Sequence, residues 1–226
     1  VRIPSGEASN IIQGFEKHIG KHVDEFLMDR YEVTNREYRQ FIDSGGYKTR
    51  KYWKYHIISE GKVISWEEAL NRFLDKTGKP GPSTWEVGTY TEGKENYPVA
   101  GISWYEAAAY AEFAHKSLPT IFQWDLVAQT HNAMKIIPLS NFNGISTVPV
   151  GTMKGFCSFG VFDLAGNVRE WCLNEGNKPW QRYNLGGGWN DQIYFFNTLV
   201  THDALDRSIS NGFRCIKILP GDTTIN

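Results

Sequence analysis

The chain has 226 residues, 41% hydrophobic and 14% aromatic, with eight Trp and a formal net charge of −1; this excludes a disordered segment, which needs few aromatics and a high net charge. Acids and bases are spread evenly, leaving no electrostatic footprint for nucleic acid or an anionic membrane. No apolar run approaches the roughly 20 residues needed to span a bilayer.

At this length one α+β domain covering residues 1–226 is the expected organisation, large enough to bury most of its apolar surface. The start, VRIPSGEASN, lacks the charged-then-apolar pattern of a signal peptide. A first residue of Val rather than Met fits a segment excised from a longer chain or a processed form. Cys157, Cys172 and Cys215 are too few and too scattered for a disulfide framework, and neither a CxxC nor an Asn-x-Ser/Thr sequon occurs. Such usage fits a reducing, cytoplasmic compartment better than an oxidising one.

Taken in chain order, the first candidate ligands are His18 and His22. Four residues apart on a helix they could hold a metal, but GFEKHIGKHVDEFLMDRYEV reads as strand or loop leading into Thr34. Four helix starts follow from capping chemistry: TNRE at Thr34, SWEE at Ser65, SWYE at Ser103 and TIFQ at Thr120. In each, a Ser or Thr followed three residues later by Glu or Gln can satisfy two orphan backbone donors reciprocally. After Thr34, the residues Tyr38, Phe41 and Ile42 form an apolar stripe, and Gly45-Gly46 offers a left-handed stop. SWEEALNRFLDKTG predicts a shorter helix ending near Gly78, and KPGPSTWEVGTYTEGKENYP, punctuated by Gly and Pro, predicts a surface loop. WYEAAAYAEFAHK after Ser103 predicts a helix with a close-packing small-residue face that ends before Pro119. From about Ala133 onward the helical period disappears, and short apolar runs alternate with Gly, Asn and Ser clusters. The reading is helices early and an irregular antiparallel sheet with long loops late.

Six segments in order then resemble one family: YEVTNREYRQFI (31–42), YPVAGISWYEAAAYAEFAHKSLPT (97–120), QWDLVA (123–128), GVFDLAGNVREW (160–171), LGGGWN (185–190) and NGFRC (211–215). They are similar to the formylglycine-generating-enzyme family, the sulfatase-modifying-factor domain. The resemblance implies that family's variant of the C-type lectin fold. It does not fix a function, because the family contains copper oxidases, iron-dependent enzymes of ergothioneine synthesis and non-catalytic binding modules. The segment YWKYHIISEGKVISWEEALNRFLDKTGKPGPSTWEVGTY and the ending DRSISNGFRC resemble a bacterial branch often joined to protein-kinase or other domains, so a fused kinase is an expected partner.

In family members with calcium, the loop matching DLAGNVRE supplies a side-chain oxygen, two main-chain carbonyls and a Glu carboxylate. Carried over, the ligands are Asp163, Gly166, Val168 and Glu170, and calcium would serve as a structural ion. The chemistry is sensible, since Ca²⁺ wants six to eight hard oxygens in flexible geometry and Gly166 lets the backbone fold back closely. The same stretch also reads as a packing motif, with Trp171 in the core and Glu170 paired to a base. Asn141-Phe142 is a faint echo of a second calcium segment of the family.

The family's copper oxidases need two thiolates, because soft sulfur selects Cu(I). Those thiols follow the segment matching Gly186, Gly187, Gly188 and Trp189, where this chain has Asp191 and Phe196 instead. No copper is therefore expected, and an enzyme is the less favoured reading. The three-histidine site of the iron-dependent members belongs to a separate helical domain outside this sequence. LGGGWND lacks the GxGxxG spacing and a following helix, so its glycines read as permitting tight backbone crossing. What remains is a groove of aromatics and polar tips: Trp189, Asn190, Asp191, Tyr194, Phe195, Phe196 and His202, with THDALDRS bringing Asp203 and Asp206 beside it. Tyr and Trp offer large contact areas at low entropic cost, which suits a ligand or protein segment, although at least half of IYFF should be core and THDALDRS also reads as a solvated loop. The leading expectation is a catalytically silent, ligand-binding accessory or sensory module of a larger bacterial signalling protein. The alternatives are an oxidoreductase of the same family using Asp191, His202 and Asp206 as a non-thiolate metal site, and a scaffold for subunit contacts.

Overall fold

A computed structural model of the chain describes residues 1–8, 20–129 and 132–219; His18 lies outside the described residues. All four caps form. Thr34 opens α1 (Asn35–Asp43), Ser65 opens α2 (Trp66–Leu70), Ser103 opens α3 (Trp104–Phe113) and Thr120 opens α4 (Ile121–Ala128). Those at Thr34, Ser103 and Thr120 are complete boxes, with the Glu or Gln side chain returning to the cap N–H. Helix α1 stops at Gly45, which takes φ of 79°. A Cβ at Gly46 would stand 2.2 Å from the Phe41 ring, so that glycine is where the chain closes onto its own helix.

In the first half, two expectations need correction. Helix α2 ends at Leu70 rather than near Gly78, because Asp75 offers the backbone a competing arrangement. Its Oδ1 accepts from the N–H groups of Thr77 (2.8 Å) and Lys79 (3.0 Å), and its Oδ2 accepts from that of Gly88 (2.6 Å), which gathers the chain into a turn instead of a helix. The segment 79–98 is not purely surface either. Trp85 is 2% exposed and its indole N–H donates to Asn35 Oδ1 at 2.9 Å.

The strands are short. β1 (Arg2–Ile3) and β11 (Ile216–Ile218) flank β4 (Phe26–Met28) in a three-stranded antiparallel sheet. β2 (Gly6–Glu7) pairs with β3 (His22–Val23), and β5 (Ile57–Ser59) with β6 (Lys62–Ile64). The sheet that organises the second half runs β10-β7-β8-β9, built from β7 (Arg169–Glu175), β8 (Gln181–Leu185), β9 (Thr201–Asp203) and β10 (Asn211–Gly212). It is mixed rather than wholly antiparallel, because β10 runs parallel to β7. A helical turn, α5 (Ala133–Ile136), also survives in the region read as helix-free.

Strand alternation divides the core. Trp171 and Leu173 face a cluster containing α1 and α3 side chains with Trp53, Phe73 and Trp85, whereas Cys172 faces a second cluster containing Trp124, Leu164, Leu185 and Phe196. The central sheet therefore separates two cores, and the loop 160–168 feeds directly into β7 between them. Among the described residues no helix is long and apolar enough to cross a membrane.

Candidate functional site

The stretch before β7 is held by a buried ion pair. Glu170 and Arg214 are both inaccessible. Arg214 Nη2 donates to Glu170 Oε1 at 2.6 Å and its Nε to Oε2 at 2.8 Å, while the Trp124 indole N–H reaches Oε2 at 2.9 Å. Remaining guanidinium donors go to the carbonyls of Phe162, Arg30 and Asp29 at 2.8, 3.2 and 3.3 Å. Burial works against the charged guanidinium, but Glu170 together with the carboxylates of Glu32 and Asp163 holds Arg214 above its ordinary range. Trp171 is fully buried, with its indole N–H on the Ile102 carbonyl.

The loop itself is braced by Asn167, at φ of 60°. Its side-chain carbonyl accepts from Val148 N (2.9 Å) and Asn141 Nδ2 (3.2 Å), and its amide donates to Glu32 Oε1 at 3.0 Å. Asn141 thus supports this loop, and a Cβ on Gly166, at φ of 78°, would stand 2.4 Å from the Asn141 carbonyl oxygen. Asp163 is 2% exposed and takes the Gly151 N–H on Oδ2 at 2.6 Å. Burial pushes its carboxyl up to about 6, against the pull of the Gly151 N–H and Arg214. Glu32 is raised as well, by burial and then by the charge of Asp163. Of the carried-over calcium ligands, Asp163 takes the Gly151 N–H on one oxygen, whereas both oxygens of Glu170 are committed to Arg214 and Trp124. Glu170 therefore does not fit as a free donor.

The groove residues divide. Trp189 lines a cleft of about 310 Å³ together with Trp85, Tyr90, Tyr97, Lys94 and Ile209. The Lys94 ammonium lies 4.9 Å from the Tyr97 ring centroid, so this cleft combines aromatic walls with a cation. Asn190 is exposed. Asp191 is buried and clamped bidentately by Arg169, at 2.6 Å from Nε and 2.5 Å from Nη2, with Gly188 N donating at 2.7 Å. Tyr194 is 59% exposed and stacks on Phe195 at 4.7 Å. Phe196 faces away from the groove: it is 1% exposed and packs on Trp124 at 6.1 Å, so it belongs to the core. His202 meets Asp206 at 3.5 Å through Nδ1 and sets its ring edge-on to Trp171. Its Nε2 is buried without a partner, and burial together with Arg169 lowers its pKa. Asp206 also accepts from Ser208 and Asn211, which shapes THDALDRS into a tied corner rather than a solvated loop.

Trp85, Tyr90, Lys94 and Tyr97 are the groove residues that pattern reading missed. Their signal was present in STWEVGTYTEGKENYP, where aromatics sit among turn formers without any strand or helix period. The three thiols are each free and buried, and burial pushes those of Cys172 and Cys215 up. Among the described residues no three His, Cys, Asp or Glu side chains stand in ligating geometry.

Comparison with known proteins adds three findings. The profile of the family described as "Sulfatase-modifying factor enzyme 1-like domain" matches residues 1–219. Formylglycine-generating enzyme of Thermomonospora curvata is 26% identical over 196 residues, covering 69% of this chain and 61% of that protein, and serine/threonine-protein kinase pkn1 of Chlamydia caviae is 26% identical over 168 residues, covering 71% of this chain and 24% of that one. The chain thus spans less than two thirds of the length of these relatives. The crystal structure of CarF superposes with a TM-score of 0.63 at 17% identity, over 97% of both chains, a likeness of fold.

Proposed function

The chain belongs to the sulfatase-modifying factor enzyme 1-like family, and from that premise we propose that it is a catalytically silent member whose groove binds a ligand or protein segment, serving as the accessory or sensory module of a larger bacterial signalling protein. Its fold would be put to use as C-type lectin folds are, as a rigid support for a recognition surface built on loops. The observation that carries this reading is the chemistry at positions 191 and 196. An acid locked to Arg169 and a core phenylalanine stand where an oxidase of the family needs a thiolate pair, and hard oxygen and hydrocarbon do not hold Cu(I). The aromatic cleft beside Trp189 offers the contact area and low ordering cost that binding requires. The match to a quarter of a kinase-named protein supports a fused signalling context.

The competing oxidoreductase reading rests on Asp191, His202 and Asp206. His202 Nε2 is its one open donor, and the Asp191 carboxylate is already filled by Arg169. Metal content after purification separates the two. Elemental analysis of the purified chain is expected to find neither copper nor iron at stoichiometric level. A stoichiometric complement of either metal, lost on Asp191→Asn or His202→Ala, would establish the oxidoreductase instead.

A further inference from the structure

The cleft beside Trp189 is one-sided in charge. Among the described residues, Lys76 and Lys94 line it and no Asp or Glu does. Lys76 is exposed and paired with Glu86 at 2.8 Å. Lys94 is half-buried, with its ammonium 4.9 Å from the Tyr97 ring centroid. No carboxylate pairs with it among the described residues, and its neighbour Glu95 reaches toward Arg36 at 4.0 Å instead. A cation drawn partly out of water and backed by a ring face still gains most from an anion, because a charged hydrogen bond is stronger than a π contact. The walls are set before any ligand arrives. Asn35, 6% exposed, accepts the Trp85 indole N–H on Oδ1 at 2.9 Å and donates from Nδ2 to the Lys94 carbonyl at 2.9 Å, so one side chain fixes both an aromatic wall and the segment bearing the cation. Tyr90 stands edge-on to Trp85 at 5.3 Å. The hydroxyls of Thr84 and Ser146 are spent on the carbonyls of Ala100 and Thr147, at 2.7 and 3.1 Å.

We propose that this cleft takes a small organic anion, a carboxylate on a flat apolar body, with the carboxylate on Lys94 Nζ and the body against the rings of Trp189, Tyr90 and Tyr97. The inference rests on the ligand-binding reading of the groove and names the class of ligand. One ammonium without a carboxylate matches one negative charge. A volume of about 310 Å³ stands at the small end of ligand pockets, which suits a fused ring with a short acidic arm. A peptide lying there would bring main-chain N–H and C=O groups that need partners. The Asn35, Thr84 and Ser146 side chains that could meet them are already bonded within the chain.

The test uses the whole chain and three probes that share an indole body: indole-3-propionate, its amide, and 3-(indol-3-yl)propylamine. Affinities are read by saturation-transfer NMR and calorimetry. The native chain is expected to bind the anion about 10-fold or more tightly than the amide, as a bond between charged groups warrants, and to bind the amine most weakly. Added salt should narrow the gap between anion and amide. Lys94→Met, which keeps the stem and removes the charge, should bring the anion down to the affinity of the amide while leaving the amide unchanged. Lys94→Arg should retain the preference, and Trp189→Ala should weaken anion and amide alike. Equal affinity for anion and amide in the native chain, or a preference that survives Lys94→Met, would overturn the anionic class while leaving the cleft a binding site. Tighter binding of a short peptide of alternating aspartate and tyrosine than of indole-3-propionate would make the occupant a protein segment and overturn the small-molecule class. Failure of all three probes to bind the native chain would overturn both the inference and the binding role of this cleft.

Discussion

Arg214→Met is expected to lower the melting temperature on the order of 10 °C, corresponding to a loss of about 3–5 kcal/mol when one member of a buried ion pair is removed. Methionine fills much of the volume, so the cost is electrostatic. Glu170 stays inaccessible with only the Trp124 N–H on it, and the carbonyls of Phe162, Arg30 and Asp29 lose donors at the same stroke. Arg214→Met combined with Glu170→Leu removes the stranded charge, and replacing a whole buried pair by apolar groups is often close to neutral. The double variant should therefore melt above the single one in circular dichroism scans. A double variant that melts at or below Arg214→Met would mean that the carbonyl contacts, and not the ion pair, hold the loop to the chain start.

Glu106→Ala is expected to cost about 3 kcal/mol, near the lower end for the same class of lesion. Glu106 closes the cap of α3 by accepting from Ser103 N at 2.8 Å, receives the Tyr47 hydroxyl at 2.6 Å, and pairs with Arg207 at 2.9 and 3.1 Å. The comparison between the two lesions turns on what each stranded partner retains. Without Glu106, Arg207 still donates to the carbonyls of Leu74, Arg72 and Gly81, whereas Glu170 without Arg214 keeps a single neutral donor. Arg214→Met should thus be the more damaging change, and Glu106→Gln, which preserves the cap and the Tyr47 contact, should recover part of the loss. Urea midpoints measured for the three variants check the order; a Glu106→Ala midpoint below that of Arg214→Met would refute it.

What could be read from the sequence was what local chemistry decides. The caps at Thr34, Ser65, Ser103 and Thr120 are set by residues three apart, and each formed. The premature end of α2 was hidden because Asp75 acts through Gly88, on a turn that closes only in the fold. For the stretch GVFDLAGNVREWC the packing reading describes Glu170 and Trp171 as they are found, but nothing in spacing could choose Arg214 among 24 basic residues as the partner. The groove shows the same limit. Trp189 was singled out from its own neighbourhood, while Trp85, Tyr90 and Tyr97 join it from a loop remote in sequence. Phe196 could not be told from its neighbours in IYFF, since a short run lacks a period to say which ring faces Trp124.

The proposed catalytic silence depends on the absence of a thiolate pair at positions 191 and 196. The direct measurement is incubation of the purified chain with Cu(I), oxygen and a cysteine-containing sulfatase-type peptide, followed by mass spectrometry for the aldehyde. The expected result is unmodified peptide cysteine at every time point, and turnover of that cysteine to formylglycine would contradict the account.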